Sequence, residues 1–392
     1  MKIVLVVHTA YPDFIGGREH HIHYLASELA LTDKVVVIAG GKSRKVQKRM
    51  IEGYELITLP MISIKVSSNP LQIYRIIPKF LSYIKKEKPD VIHAFEYGSF
   101  STDIACFYAK KHKTPFLLTV YGYQLNNVLL KSLKKIYDKI IGRFLYKTAH
   151  KIFFSSETQQ NEILKIINHK YVADKLILQE NSIQIDKYKD IAVNKELLNR
   201  YRKANEIVLL TVVRLLPRKG IKHLIYALRK IKDIFNIHNL KLIIVGPDCG
   251  ELASIKNLVR TFDLESKVIF TGSVAPQRIK EFLGICDIFV LPSLYEGLPL
   301  ALLEAMAVGK VVIFSDLACA RKVIIDEESG LLVKPADADS LAEAIIKLFR
   351  DKEMRERLGL KAKKIVSAFD SNIEAKNMRK YYEQTLITNR TV

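Results

Sequence analysis

Two carboxylates, Glu296 and Glu304, and two cations, Arg214 and Lys219, are the residues whose types and setting could do chemistry in this chain. Glu296 lies in Leu291-Pro292-Ser293-Leu294-Tyr295-Glu296-Gly297-Leu298-Pro299. Glu304 lies in the apolar run Leu300-Ala301-Leu302-Leu303-Glu304-Ala305-Met306-Ala307 that follows. The β-rich run from Asp287 to Leu291 predicts a strand, Gly297 permits a sharp turn, and Pro299 suits a first helical position, so a strand feeds directly into a helix. At such a junction the amides of Leu300 and Ala301 can point at solvent with the helix dipole behind them, a place for phosphate oxygens. Glu296 in the turn and Glu304 in the helix can each accept a pair of hydroxyl hydrogen bonds, which suits sugar rings on either side of a diphosphate. The same spacing also fits a helix N-terminal charge followed by a solvated helical residue. In Val213-Arg214-Leu215-Leu216-Pro217-Arg218-Lys219-Gly220, cations sit past a strand end and before a helix, where a leaving diphosphate would need its charge neutralised; an ordinary basic loop has the same composition. Ile15-Gly16-Gly17-Arg18-Glu19-His20 follows the first strand, and the paired glycines Gly16 and Gly17 let a backbone come close to a bound group, or simply turn.

These residues need a frame, and the pattern of strands and helices supplies one. Strands at about 2–8, 34–39, 54–58, 90–95, 115–120 and 151–155 alternate with helical patterns at about 18–30, 70–87, 99–112, 125–149 and 157–168. A polar stretch from about 184 to 206 interrupts the alternation. It resumes with strands near 207–213, 240–246, 267–271, 287–291 and 310–314, which makes an α/β chain of two doubly wound parallel sheets. Ligands in such sheets bind beyond the carboxyl ends of the strands, and two lobes facing across a cleft would hold the substrate between them. A chain of 392 residues is long enough for two such domains. The predicted domains are 1–190, 191–370, and a C-terminal helix at 371–392.

The wording Pro-Ser-Leu-Tyr-Glu-Gly-Leu-Pro-Leu…Leu-Glu-Ala-Met-Ala, with its Glu-x7-Glu, closely resembles the retaining glycosyltransferases of family 4, which have the GT-B fold of two Rossmann-like domains; the resemblance extends over nearly the whole chain. It implies a retaining transfer of a hexose from a nucleoside diphosphate sugar, UDP- or GDP-linked, to a hydroxyl of a glycan or lipid-linked acceptor, with no further cofactor. Arg214, Lys219 and the amides near Leu300 and Ala301 would hold the diphosphate, Glu304 the ribose and Glu296 the sugar. Gly16 and Gly17 resemble the family's glycine loop at the donor phosphate, and the segment after Asp370 resembles the element that crosses back to the first domain. Three departures fall in loops. Thr119-Val120-Tyr121-Gly122-Tyr123 stands where the family usually shows His-Gly at the reaction centre, Asn181-Ser182 stands for Asn-Gly, and Ala318-Cys319 stands for a glycine pair. Tyr121 is a far weaker base than histidine near neutral pH. His93, on the fourth strand, either compensates or is a buried structural residue. The alternatives to a transferase are a nucleotide-sugar-binding protein with altered or lost activity and a nucleotide-sugar epimerase on the same architecture.

Composition bounds the rest. A net charge of +21 favours anionic partners, but no helix-turn-helix, zinc spacing or aromatic-basic motif supports nucleic acid. Residues 125–151 carry Lys131, Lys134, Lys135, Lys139, Arg143, Lys147 and Lys151 against Asp138, with Leu125, Leu129, Leu133, Ile136, Ile140 and Phe144 at helical spacing. Such a helix either packs on a core with a solvated basic face or lies on an anionic membrane surface, compatible with a cytoplasmic protein at the inner face of a membrane. Cysteines 106, 249, 286 and 319 form no paired spacing. No catalytic metal is predicted: His20 and His21 must diverge around their helix, and Asp337-Ala338-Asp339 precedes a helix that it can cap.

Overall fold

The structure, a computed structural model, describes residues 1–66, 69–74, 77–121, 134–203 and 205–390. The chain divides into two compact units. The first joins Met1–Ser182 to the segment from Ser371 onward, and the second is Ile183–Asp370. Residues 183–190, assigned by the sequence to the first domain, thus fold with the second. They contain the helical turn Ile185–Tyr188, whose Tyr188 is buried.

In the first unit the strands are β1 (Lys2–Thr9), β2 (Lys34–Gly41), β3 (Gln47–Ile51), β4 (Tyr54–Val66), β5 (Asn69–Tyr74), β6 (Val91–Phe95), β7 (Phe116–Thr119), β8 (Lys151–Phe154) and β9 (Leu176–Leu178), in the order β3-β4-β2-β1-β6-β7-β8-β9 with β5 beside β4. The β1 side chains show why this sheet is covered on both faces. Val4 and Val6 enter one apolar cluster while Ile3, Leu5 and Val7 enter the other, as the two-residue repeat of a strand dictates. Each such side chain contributes about 1.5–3 kcal/mol on burial. The C-terminal helix Ser371–Arg390 places Ala375, Met378 and Tyr382 in the second of these clusters. The sheet is not wholly parallel: β3 and β5 each run antiparallel to β4, and the predicted helix from residue 70 starts only at Ile77, after β5. The apolar spacing at 125–133 lies outside the described residues. From 134 to 148 the chain is helical, through a π turn at Asp138–Gly142, and Leu145 and Tyr146 are buried while Ile136 and Ile140 are exposed. A Cβ at Gly142 would lie 2.1 Å from Tyr97 Oη, which itself donates to Asp138 at 2.6 Å.

The second unit has six parallel strands, β10 (Ile207–Val212), β11 (Leu240–Val245), β12 (Val268–Gly272), β13 (Ile288–Leu291), β14 (Val311–Ser315) and β15 (Leu331–Val333), ordered β12-β11-β10-β13-β14-β15. Each sheet reverses its winding at one place, between β1 and β6 and between β10 and β13. Loops leaving the carboxyl ends of those paired strands turn to opposite sides and open a crevice.

Candidate functional site

In the second unit the loops after β10 and β13 meet across that crevice. After Arg214 the chain makes the turn Pro217–Lys219 and passes Gly220, at φ +67°, into the helix Ile221–Phe235. Glycine is required there: a Cβ would lie 1.9 Å from the Pro292 carbonyl oxygen. The Leu294 amide donates to the Arg218 carbonyl at 2.8 Å, which ties the loops together. Lys219 Nζ then pairs with Glu296 Oε1, which also accepts from Ser293 Oγ at 2.8 Å. Burial pulls the Lys219 ammonium below the usual lysine range, opposed by Glu296 and aided by the nearby Arg218 and Arg214. Arg214 and Arg218 are exposed, and neither has a carboxylate partner among the described residues. Three cations therefore face one carboxylate, an excess that an anion would neutralise.

The helix Leu300–Ala307 begins just beyond, after Pro299, and no side chain caps it. The amides of Leu300 and Ala301 thus stand at an uncapped helix start. Further along the same helix, burial raises Glu304 to about 7, partly opposed by a hydrogen bond from Tyr188. The structure thus brings Lys219 into contact with Glu296, sets Arg214 close to Lys219, and puts Leu300, Ala301 and Glu304 on one short helix. Ser293 and Tyr188 were not foreseen. Ser293, three residues before Glu296, is within reach of a sequence argument, whereas Tyr188 lies in the polar stretch assigned elsewhere. Cys319, in the glycine-pair position, is buried, and that burial pushes its thiol up to about 12 with Glu296 among its neighbours.

Gly16, Gly17 and Tyr121 belong to the first unit, at the carboxyl ends of β1 and β7. Gly16 is extended and precedes the helix Gly17–Leu29; a Cβ on it would lie 2.4 Å from Glu19 Oε2. Arg18 bridges the crevice between β1 and β6, with Nη1 2.5 Å from Glu96 Oε1 and Nη2 2.7 Å from Glu19 Oε1. Thr9 Oγ1 donates to Glu19 at 2.8 Å. Burial works against the Arg18 charge, but Glu96 and Glu19 outweigh it and raise its pKa. Glu96 holds φ +91°, and its Oε2 is buried with no hydrogen-bond partner among the described residues.

Tyr121 Oη lies 2.9 Å from His21 Nδ1, and His21 Nε2 lies 2.8 Å from Glu374 Oε2 of the C-terminal helix. His93 does not compensate for Tyr121. It is fully buried, its ring nitrogens engage Tyr382 Oη and Thr119 Oγ1 at 2.8 Å each, and burial lowers its pKa to about 3. His20 instead contacts the Gly16 carbonyl and His23 contacts Tyr54 Oη, so His20, His21 and His23 engage different groups. Among the described residues no three His, Cys, Asp or Glu side chains are grouped to hold a metal ion. Asp337 caps the helix Ala338–Arg350 by accepting from the Asp339 and Ser340 amides at 2.9 and 3.1 Å.

Two doubly wound α/β units have the GT-B fold, and the family models matched over both units are those of glycosyltransferases. Residues 15–176 match the family described as Glycosyltransferase Family 4, and residues 194–365 match Glycosyl transferases group 1. The chain belongs to this family of glycosyltransferases. An uncharacterized glycosyltransferase of Methanocaldococcus jannaschii, MJ1069, is 29% identical over 267 residues, 67% of this chain and 65% of that protein. The Campylobacter jejuni N,N'-diacetylbacillosaminyl-diphospho-undecaprenol alpha-1,3-N-acetylgalactosaminyltransferase is 26% identical over 336 residues, 82% of this chain and 84% of that one. Among solved structures, Anabaena Alr3699/HepE in complex with UDP and glucose superposes with a TM-score of 0.76 at 18% identity, covering 98% of this chain and all of that one.

Proposed function

We propose that this glycosyltransferase moves a hexose from a UDP- or GDP-linked sugar to a hydroxyl of a glycan or lipid-linked acceptor and retains the anomeric configuration. The observation that carries the reading is the Lys219–Glu296 bridge across the β10/β13 crevice, with Arg214 and Arg218 unpaired beside it and the Leu300–Ala307 helix start adjacent in the chain. Arg214, Lys219 and the Leu300 and Ala301 amides hold the diphosphate, Glu304 accepts the ribose hydroxyls, and Glu296 accepts hydroxyls of the transferred sugar. Charge fixed in advance around the leaving group supplies most of the acceleration. Gly16 and Gly17, in the first unit, let their backbone approach a bound phosphate closely. The bound UDP and glucose of the Anabaena neighbour and the diphospho-undecaprenol acceptor in the Campylobacter relative's name support a nucleotide-sugar donor and a lipid-linked acceptor.

The test is incubation of the pure protein with UDP- and GDP-sugars, following donor hydrolysis and the anomeric configuration of any product by NMR. Hydrolysis of one donor with retention is expected. Absence of binding and turnover with every donor overturns the reading. Donor binding without turnover identifies the second reading, a nucleotide-sugar-binding protein, which Tyr121 at the histidine position favours. A cytoplasmic location at the inner face of a membrane fits exposed Ile136 and Ile140, interleaved with exposed Lys135 and Lys139. No helix among the described residues is long and apolar enough to cross a membrane. Flotation with acidic liposomes tests the location, and no binding at low salt removes it.

A further inference from the structure

Ser293 and Glu296 stand three residues apart, the spacing at which a serine and a glutamate cap a helix start by each binding the other's backbone amide. No helix begins there. The next one starts at Leu300, and the two residues meet through their side chains instead, with Ser293 Oγ donating to Glu296 Oε1 at 2.8 Å. Ser293 is fully buried and the Glu296 side chain is 7% exposed, so a buried hydroxyl faces a buried carboxylate with no helix end to satisfy.

The backbone that carries Ser293 is held on both sides. Before it, the Pro292 carbonyl packs so close to Gly220 that a Cβ there would lie 1.9 Å away; after it, the Leu294 amide donates to the Arg218 carbonyl at 2.8 Å. The hydroxyl is therefore fixed relative to the loop that carries Lys219, and the two donors converge on one atom. Lys219 Nζ and Ser293 Oγ both meet Glu296 Oε1, while no described residue donates to Oε2. A carboxylate oxygen has two lone-pair directions, so Oε1 is filled and Oε2 is left to accept. Lys219 carries three ammonium protons and places one on Glu296, which leaves two for an anion. A phosphate oxygen without a proton cannot satisfy Oε2; a hydroxyl or an N–H group can.

We propose that Ser293 is a positioning residue: by filling Oε1 together with Lys219, it leaves Oε2 as the one carboxylate atom of Glu296 that reads a hydroxyl of the transferred sugar. This rests on the transferase reading above and sharpens it, because Glu296 then binds through one oxygen and not as a two-pronged clamp. The place follows from the sheet itself, since these loops leave the carboxyl ends of β10 and β13, where the winding of the second unit reverses. One crevice thus holds cations for an anion and a single directed acceptor for a hydroxyl. Ser293 neither gains nor loses a proton; it sets the angle at which Glu296 meets its ligand.

The experiment, on the full chain, compares kcat/KM for the nucleotide sugar turned over best with that for its monodeoxy analogues, beside the affinity for UDP and GDP by calorimetry. The wild type should lose about ten- to a hundredfold with one of the analogues, the usual value of a hydrogen bond to an ion-paired carboxylate. Ser293→Ala frees one side of Oε1, and that discrimination should fall to about threefold while UDP or GDP binds as in the wild type. Ser293→Thr, which keeps the hydroxyl, should restore most of it. Undiminished discrimination in Ser293→Ala overturns the proposal. So does an equal loss for the sugar and all its analogues with weaker UDP or GDP binding, which would mean that the serine only holds the loop. Crystal structures of the ligand-free wild type and Ser293→Ala give a readout independent of turnover: the Glu296 carboxylate should rotate in the variant, and an unmoved carboxylate overturns the proposal. A wild type that binds no nucleotide sugar would defeat the transferase reading, and the carboxylate's position would still decide whether Ser293 orients it.

Discussion

The two units carry the same device at the same place in their sheets, with opposite charge left over. Across the β10/β13 crevice Lys219 bridges to Glu296, and Arg214 and Arg218 remain unpaired. Across the β1/β6 crevice Arg18 bridges to Glu96 and also holds Glu19, so one cation serves two carboxylates and Glu96 Oε2 is left without a partner among the described residues. A diphosphate matches the first imbalance and a hydroxyl donor matches the second. Similar folds therefore leave opposite charge imbalances, because the residue that completes each bridge decides which sign remains to be satisfied.

The sharpest way to break that comparison is to remove the cation from each bridge. Lys219→Ala is expected to lower kcat/KM for donor turnover by about 10²–10³, the usual cost of losing one preorganised group at a developing negative charge. Steady-state kinetics check it, and a loss below about threefold would remove Lys219 from the diphosphate site. Arg18→Ala should act mainly on the fold of the first unit. It strands Glu19 and Glu96, at 10% and 21% side-chain exposure, and roughly 2–3 kcal/mol of that unit's stability should go with it. Urea unfolding followed by hydrogen exchange on the first unit measures the difference. An unchanged midpoint would show that the Arg18 bridge is not structural.

The contrast also explains what could be read from the sequence. The second unit's candidate site comes from two continuous motifs, each a strand end running into a helix, so Arg214, Lys219, Glu296 and Glu304 could be named as candidates, while their roles came from the family resemblance. Their pairing could not be named, because it depends on β10 and β13 being neighbours. In the first unit the polar chain behind Tyr121 joins residues 353 positions apart, and nothing local to Glu374 distinguishes it from a solvated helix residue. The alternating order of strands and helices was legible for both sheets. The antiparallel β3 and β5 and the three-residue β9 and β15 were not, since pairing and not periodicity defines them.

The donor side can be sharpened further through Glu304. Its pKa is raised from 4.5 to about 7 by burial, so the neutral acid predominates only below that pH. For stability the sign is clear: the contribution is fully present below the ordinary carboxyl value and is lost as pH rises through about 7. Ribose binding has the opposite sign, because two hydroxyl donors need the ionised carboxylate. Affinity for uridine or guanosine, which carry no group titrating near neutrality, should weaken about tenfold from one unit above that pKa to one unit below it. Calorimetry checks this, and Glu304→Gln should flatten the profile; a flat profile in the wild type would take Glu304 out of the nucleoside site.

The smallest expected effect separates an acidic pair that looks catalytic from those that are placed to be so. Asp337 and Asp339 spell a metal-binding pattern, yet Asp337 accepts from two amides of its own helix and Asp339 pairs with Lys230. Asp337→Ala should therefore cost the second unit about 1 kcal/mol, the ordinary value of a lost helix cap. Donor turnover and its response to added manganese should stay as in the wild type. Asp337→Asn, which keeps an accepting oxygen but loses the charge, should cost only a fraction of that. If instead Asp337→Asn abolished turnover while leaving the unfolding midpoint in place, the acidic pair would belong to the chemistry, and the β10/β13 crevice would no longer account for how the diphosphate is neutralised.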